Sequence, residues 1–445
     1  MCADFIPYCE DGVFYLFYLK DYRDWDNHGE GTPWFLITTR DFVHFEEHGE
    51  VLPRGTKEEQ DLYVFTGSVF KVDDGYHIFY TGHNPHLRRQ GKPEQAVMHA
   101  VSKDLISWKK CPEDTFYAPS EGYEPHDWRD PFVYWDAAAG EYRMLLAARS
   151  THGAARRRGI TALCGSPDLK NWHVLEPFWA PERFFTHECP DLFCIGEWYY
   201  LIYSEFSEEK LTRYRMSRSL NGPWIQPADD RLDGIAYYAA KSTALENERY
   251  LFGWIPSREG DKDTGGWQWG GCLCVHKLCQ RPDGTLYVDI PETVWQAATQ
   301  RLIAQGEETL GTESGILLRL LADLPEICAL ECVCTLDACA AEILLHMDET
   351  LDEGTMLRLD RDAPMLALDR WPRDGHLAWD PGLKRPLNIA KKEHALRILL
   401  DGSALSVYLD GEIALCGRAY DRKQHKLGFA VKEGKASIQW KLYTP

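Results

Sequence analysis

Positive charge is the scarcer sign in this chain: 49 lysines and arginines stand against 69 aspartates and glutamates, a net charge of −20. A field of that sign repels nucleic acid and anionic membrane surfaces, so neither is expected as a partner. No run approaches the roughly 18 apolar residues that a membrane-crossing helix needs. The opening Met1-Cys-Ala-Asp-Phe5 lacks the basic-then-apolar layout of a secretory signal, and a cytoplasmic location is the expectation. CxxC pairs are missing too. Cys272-Leu-Cys274 and the group Cys328, Cys332 and Cys334 do not have the spacing of a structural zinc site, so no metal and no other cofactor is expected. The fourteen cysteines are spread through 445 residues, several at core-like positions such as Cys194, Cys332 and Cys416, and read as reduced thiols rather than a disulfide framework.

What is present is aromatic and repetitive. With 44% of residues hydrophobic and 13% aromatic, the chain can bury a large core, and its length suits two domains. A polar turn opening an aromatic and aliphatic run occurs five times: Asp11-Gly-Val-Phe-Tyr-Leu-Phe-Tyr18, Asp74-Gly-Tyr-His-Ile-Phe-Tyr80, Gly140-Glu-Tyr-Arg-Met-Leu-Leu146, Gly196-Glu-Trp-Tyr-Tyr-Leu-Ile202 and Asn247-Glu-Arg-Tyr-Leu-Phe-Gly-Trp254. These read as hairpins. A second signature follows the first three, in Thr39-Arg-Asp-Phe-Val-His-Phe45, Ser102-Lys-Asp-Leu-Ile-Ser-Trp108 and Ser166-Pro-Asp-Leu-Lys-Asn-Trp172, with a weaker copy in Ser217-Arg-Ser-Leu-Asn-Gly-Pro-Trp224. Its aspartates recur every 63 to 64 residues (41, 104, 168), room for a four-stranded blade. The Ser/Thr and Asp would form the turn after the third strand, and the Leu or Phe and the terminal Trp or Phe would pack between sheets.

The expected fold is therefore all-β: a five-bladed β-propeller over residues 1–295, then a C-terminal β-sandwich over 306–445 joined by a short helical linker. The sandwich is read from alternating strands at Ile316–Leu320, Ala395–Leu400, Leu405–Leu409 and Lys426–Ala430, with hairpin loops at Asp401-Gly and Asp410-Gly.

Polar residues at matching distances ahead of each hairpin should converge on the propeller axis. Counting back gives Asp4, Ser68, Asp130 and Glu188, which places three carboxylates in one funnel. Crowded, partly desolvated carboxylates repel one another, and at least one pKa should rise into the range of a general acid. Arg129, beside Asp130, should hold that acid ionised, whereas Glu188, next to Cys189 and Pro190, is the better candidate for proton donor. Two carboxylates flanking a scissile bond are what retaining glycoside hydrolysis requires. Trp25, Trp34, Trp254, Trp267 and Trp269 are either sugar-stacking platforms or blade packing; Trp108, Trp172 and Trp224 read as packing. Tyr237 or Tyr238 should line the pocket. Arg88-Arg89 and Arg156-Arg-Arg158 either grip a phosphorylated sugar or are solvated surface.

At these residues the chain resembles glycoside hydrolase family 32, the invertase, inulinase and levanase group. Arg129-Asp130-Pro131 matches that family's RDP motif and Glu188-Cys-Pro-Asp-Leu-Phe193 its ECPDLF motif. Phe65-Thr66-Gly67-Ser68 is similar to its FSGS motif, Ala236-Tyr-Tyr-Ala-Ala-Lys241 to its DFYAPQ segment, and Arg397–Glu412 to its sandwich. The resemblance implies Asp4 as nucleophile, Glu188 as acid/base and Asp130 as the residue gripping the fructosyl hydroxyls. Arg129, Phe65, Thr66, Ser68, Trp34, Tyr238 and Trp254 are the implied substrate-binding set, and the implied partner is a small-molecule fructoside such as sucrose or a short fructo-oligosaccharide. Two motifs depart from the family. WMNDPNG is replaced by Ala3-Asp-Phe-Ile-Pro-Tyr8, and the glutamine after the first hairpin strand by Leu19-Lys20. Both fall where the fructosyl unit and the neighbouring subsite would be contacted, so they bear on substrate choice. A fructosyltransferase, and a fructan-binding protein without turnover, are the competing readings. An inverting arabinan- or xylan-type hydrolase is disfavoured by ECPDLF and the sandwich. Retention implies catalytic carboxyl groups about 5–5.5 Å apart.

Overall fold

A computed structural model describes residues 1–73, 75–373, 382–421 and 425–445; Asp74, in the second expected turn, lies outside the described residues. The chain forms two compact units: Met1–Arg231 with Tyr238–Trp254 and Gly270–Leu286, and Leu232–Tyr237 with Ile255–Trp269 and Tyr287–Pro445. The division differs from the expected 1–295 and 306–445 because two earlier segments belong to the second unit. The helix also comes sooner than expected, at Glu292–Ala298, and a strand opens at Arg301 inside the anticipated linker. None of the fourteen cysteines is in a disulfide. Among the described residues no helix is long and apolar enough to cross a membrane.

The first unit is a five-bladed propeller. Blade one holds β1 (Cys2–Glu10), β2 (Val13–Lys20), β3 (Trp34–Thr39) and β4 (Phe45–Leu52). Blade two holds β5 (Tyr63–Val72), β6 (Gly75–His83), β7 (Gln95–Ser102) and β8 (Trp108–Lys110). Blade three holds β9 (Tyr123–Asp136), β10 (Glu141–Ser150), β11 (Gly159–Ser166) and β12 (His173–Val174). Blade four holds β13 (Glu188–Ile195), β14 (Trp198–Glu205) and β15 (Leu211–Ser217), its outer edge reduced to the bridges Met216–Ile225 and Arg213–Arg231. Blade five holds β16 (Tyr238–Leu245), β17 (Glu248–Arg258), β18 (Trp267–Gln280) and β19 (Leu286–Asp289). Each blade is antiparallel in chain order, and the first strands adjoin in sequence, β1 with β5, β5 with β9, β9 with β13, β13 with β16 and β16 with β1. That cycle closes the ring.

The repeated signature owes its shape to local hydrogen bonding. In each of the first three blades the Ser or Thr oxygen accepts the N–H two residues on, and in the first two blades also the N–H three residues on, while the Asp carboxylate accepts the N–H groups two and three residues beyond itself. The apolar residue between them is forced to positive φ: Phe42 at 64°, Leu105 at 66° and Leu169 at 63°. A non-glycine residue there costs about 1–2 kcal/mol. Burial of the same side chains contributes about 1.5–3 kcal/mol each and outweighs it. The closing aromatics pack on the preceding blade: Trp108 on Phe17 at 6.0 Å, Trp172 on Phe79 at 5.5 Å, and Trp224 within the cluster of Leu145 and Phe132.

The second unit is a β-sandwich of β20 (Arg301–Asp323), β21 (Ile327–Met347), β22 (Gly354–Asp360), β23 (Met365–Trp371), β24 (Leu383–Pro386), β25 (Glu393–Asp401), β26 (Ala404–Leu409), β27 (Ile413–Arg418) and β28 (Lys426–Thr444). Three strands are far longer than the five-residue runs read from the sequence. The first half of β21 pairs with β25 and its second half with β22, while β28 follows it throughout and β20 follows β28. Register shifts near Gly315 bend the long strands, so both sheets share them around one core of Leu330, Ile343, Leu357, Ile398, Phe429 and Ile438.

Candidate active site

Every blade's first strand carries the same irregularity. Pairing with the second strand skips two residues at Asp4-Phe5, one at Thr66, two at Asp130-Pro131, two at Cys189-Pro190 and two at Ala239-Ala240. These are β-bulges, and the first bulged residue has positive φ in four blades: Asp4 at 43°, Asp130 at 58°, Cys189 at 51° and Ala239 at 51°. Five tetrapeptides are therefore equivalent: Ala3-Asp4-Phe5-Ile6, Phe65-Thr66-Gly67-Ser68, Arg129-Asp130-Pro131-Phe132, Glu188-Cys189-Pro190-Asp191 and Tyr238-Ala239-Ala240-Lys241. A regular strand turns successive side chains to opposite faces. The bulge breaks that alternation, so residues from the first and second positions meet at one site.

Asp4 is gripped from two other blades. Thr66 Oγ1 donates to its Oδ2 at 2.7 Å and Trp254 Nε1 to its Oδ1 at 3.0 Å. Glu188 is gripped from blades five and three: Tyr238 donates its hydroxyl to Oε2 at 2.7 Å and Arg129 Nη2 donates to Oε1 at 3.2 Å. Asp130 accepts the Cys189 N–H at 2.9 Å, and its own N–H donates to Thr81 Oγ1 at 2.7 Å. Burial pushes the Asp4 carboxyl up to about 7; the charges of Asp130 and Glu188 add to the rise, and the donors Thr66 and Trp254 oppose it. Burial likewise lifts Asp130 to about 6, against the opposing charge of Arg129. The expectation that Arg129 would keep Asp130 fully ionised is corrected here. Arg129 Nε stands 3.8 Å from Asp130, while its Nη atoms engage Glu188 and, at 2.8 Å, Asp127. Alternating charges continue outward from there, Asp127 to Arg149 at 3.5 Å, Arg149 to Glu124 at 2.8 Å and Glu124 to Arg158 at 2.5 Å.

The arrangement offers an aspartate fixed by two neutral donors, a glutamate held between a cation and a phenol, and a third buried acid. These are the parts of a double displacement at a glycosidic carbon. Comparison with known proteins decides the lineage, because the N-terminal domain model of glycosyl hydrolases family 32 matches residues 6–287. The chain belongs to that family. Asp130 and Glu188 lie inside the span matched by the family 32 model, and Asp4 just ahead of it. Among relatives, the sucrose-6-phosphate hydrolase of Streptococcus mutans is 24% identical over 96% of this chain and 87% of its own length. The raffinose invertase of Escherichia coli is 26% identical over 87% and 80%. A solved sucrose-6-phosphate hydrolase from Lactobacillus gasseri shares the fold, with a TM-score of 0.77 and 18% identity over the whole of this chain and 90% of that one.

Several family-derived expectations change on inspection of the site. Ser68 is the fourth residue of its tetrapeptide, not the second; its Oγ accepts the Val133 N–H at 3.1 Å and ties blade two to blade three. Asp191 does the same between blades four and five, accepting the Ser242 N–H at 2.7 Å. Trp34 is no stacking platform: it is fully buried between Phe17 and Tyr80, and its Nε1 donates to the Phe65 carbonyl at 3.2 Å. Trp254 is fully buried too and serves Asp4 through its N–H. Phe65 is half-buried and stacks on His83 at 5.0 Å. Thr66 and Tyr238 both touch the acids, and Tyr238 rather than Tyr237 supplies the hydroxyl. Trp25 is exposed, and Trp267 lies beneath the Arg258 guanidinium at 3.8 Å. Arg88-Arg89 and Arg156–Arg158 sit in connections between second and third strands; Arg88 pairs with Glu94 and Arg158 with Glu124.

Lys210 escaped the sequence reading. It closes the connection between β14 and β15, and its ammonium stands 5.4 Å from the Tyr238 ring centre and 5.9 Å from that of Trp254. Set among Ser207-Glu-Glu-Lys210, it has the look of a solvated loop residue.

Proposed function

We propose that this protein is a retaining β-fructofuranosidase, with Asp4 as nucleophile, Glu188 as acid/base and Asp130 as the acid that holds the fructosyl hydroxyls. The observation that carries the reading is the pairwise support of the two reacting acids. Asp4 has donors on both oxygens, which fixes its direction of attack. Glu188 has one oxygen on Arg129 and the other on Tyr238, so it can give and regain a proton without changing rotamer.

In the first step an Asp4 oxygen bonds to the anomeric carbon while the bond to the leaving oxygen breaks and Glu188 protonates that oxygen. In the second, Glu188 takes a proton from water, the water oxygen bonds to the anomeric carbon, and the ester to Asp4 breaks. Two inversions give net retention. Hydrogen bonds donated by the ring hydroxyls to Asp130 strengthen as charge develops on the ring, where such contacts contribute several kcal/mol. The names of the relatives span sucrose 6-phosphate, raffinose and levan, which with sucrose and inulin define the panel of fructosides to assay. NMR of the first product should show β-configured fructose before mutarotation; initial α-anomer would exclude the double displacement.

A further inference from the structure

Blade two holds a cluster of nitrogen, sulfur and oxygen ligands that takes no part in supporting Asp4, Glu188 or Asp130. His99 on β7, Cys111 just beyond β8 and Asp114 in the single helical turn Pro112–Asp114 each present one ligand atom, and the three atoms all lie within 4.8 Å of one another. The His99 side chain is only 2% exposed, while Cys111 and Asp114 are part-exposed, so an ion can reach the group from the turn. The spacing carries no zinc signature, because no CxxC pair is involved and His99 stands twelve residues ahead of Cys111. Main-chain hydrogen bonds bring the three together. The Cys111 N–H donates to the His99 carbonyl at 2.8 Å and the Asp114 N–H to the Cys111 carbonyl at 3.0 Å, and Phe116 then rejoins the sheet opposite Val97.

The innermost ligand is already oriented. His99 Nδ1 lies 2.7 Å from Asp114 Oδ2, its Nε2 lies 2.8 Å from Nδ1 of His77, and its ring stacks on Phe79 at 4.5 Å with an interplanar angle of 2°. A metal-bound imidazole needs a hydrogen-bond partner on its second nitrogen, which fixes the tautomer and the ring; His77 stands in that place. In a tetrahedral zinc site neighbouring nitrogen and oxygen ligands are about 3.3 Å apart, so Asp114 has to withdraw by only about 0.6 Å for a cation to replace the hydrogen between it and His99. The donor set selects the ion. Thiolate and imidazole suit zinc, whereas magnesium and calcium take oxygen ligands. Cys111 binds as the thiolate, its proton passing to solvent, and with the Asp114 carboxylate it balances both charges of the ion. We propose that His99, Cys111 and Asp114 bind one zinc ion, with water in the fourth position and His77 as the outer partner of His99. The ion clips the turn after β8 onto β7 and so holds Phe116 against Trp128, whose ring is 5.6 Å away and one residue ahead of Arg129. This site does not depend on the fructosidase reading.

The test uses the full chain, stripped of metal with a chelator and dialysed under reducing conditions. Calorimetric titration with Zn²⁺ should show one tight equivalent, and Mg²⁺ none. Co²⁺, which takes the same tetrahedral geometry, should give a thiolate-to-cobalt band in the near ultraviolet and strong visible bands. Zinc at about a hundred times its dissociation constant should raise the melting temperature by about 5 °C. Cys111→Ser and Asp114→Asn change part-exposed positions and spare the buried histidine, so both should fold. Each should bind zinc at least about tenfold more weakly, and the serine variant should lose the near-ultraviolet cobalt band. Wild type that takes up neither zinc nor cobalt overturns the proposal. So does metal bound by both variants with the affinity and the cobalt spectrum of wild type, which would put the ion on other cysteines.

Discussion

Replacing Asp4 with asparagine should stabilise the propeller above neutral pH while removing turnover. The native state holds the Asp4 carboxyl at about 7 against an ordinary 3.8. A folded pKa raised in this way means that the native state binds the proton more tightly than the unfolded chain. The associated stability is present below about pH 4 and is lost as pH rises through about 7. At pH 8 the ionised Asp4 therefore costs up to about 4 kcal/mol, and at pH 4.5 about 1 kcal/mol. Asparagine is close to the protonated acid in shape and charge, and it keeps both contacts: its oxygen accepts from Trp254 Nε1, and the Thr66 hydroxyl turns to accept from its amide. At about 2 °C per kcal/mol for a unit of this size, calorimetry should show the variant melting up to about 8 °C above wild type at pH 8 and about 2 °C above it at pH 4.5. A gap that does not change with pH, or a variant less stable than wild type at pH 8, would refute the claim that Asp4 is held ionised at the expense of stability.

Glu188→Gln should lower kcat on sucrose by roughly 10²–10⁴-fold with an unchanged circular dichroism spectrum, and with an aryl fructoside it should accumulate an ester on Asp4 visible by mass spectrometry. Because Asp4 must be ionised to attack, kcat/KM should fall as pH drops below about 7. Trp254→Phe removes a donor to that carboxylate and should move this acid limb upward by about half to one pH unit; a fixed limb would take Asp4 out of the nucleophile's role. Asp168→Ala strips the turn after β11 of its carboxylate acceptor and should destabilise by about 1 kcal/mol near pH 7. Since the folded pKa of Asp168 is depressed by backbone N–H donors of Asn171 and Lys170, that loss should fade in acid as pH falls below about 4.

The blade repeat was legible because its chemistry is local. A Ser or Thr, an Asp and an apolar residue within four positions build the turn by themselves, and the spacing of 63 to 64 residues counts the blades. The convergence of Asp4, Asp130 and Glu188 was legible for a similar reason, each standing at a countable distance ahead of a hairpin. What escaped depends on contacts between blades. Whether Arg129 would serve Asp130 or Glu188 is decided by the neighbouring first strand, 59 residues on. Ser68 was placed on the wrong face because a bulge leaves no mark in composition and shifts the alternation by one residue. Trp34 and Trp254 look alike as sequence, yet one packs a blade and the other donates to Asp4. In the sandwich, strands of 19 to 23 residues looked like short runs because the bend near Gly315 interrupts the apolar alternation.

The five equivalent tetrapeptides divide labour inside four consecutive residues. Positions one and two carry Arg129, Glu188, Tyr238, Asp4, Thr66 and Asp130, the groups that would touch a substrate or hold one that does. Position four carries Ser68, Asp191 and Lys241, each bonded to the next or preceding blade, Lys241 through the Pro190 carbonyl at 2.7 Å. A saturation scan should therefore sort by position within the motif rather than by distance from the axis. Changes at one and two should alter selectivity and rate in protein that still accumulates, and changes at four should deplete the protein itself. Drift toward a new fructoside can then proceed through the first pair of letters while the fourth preserves the ring, a separation of evolvable from constrained sites that most strands, with ligand contacts and ladder bonds on the same residues, do not offer.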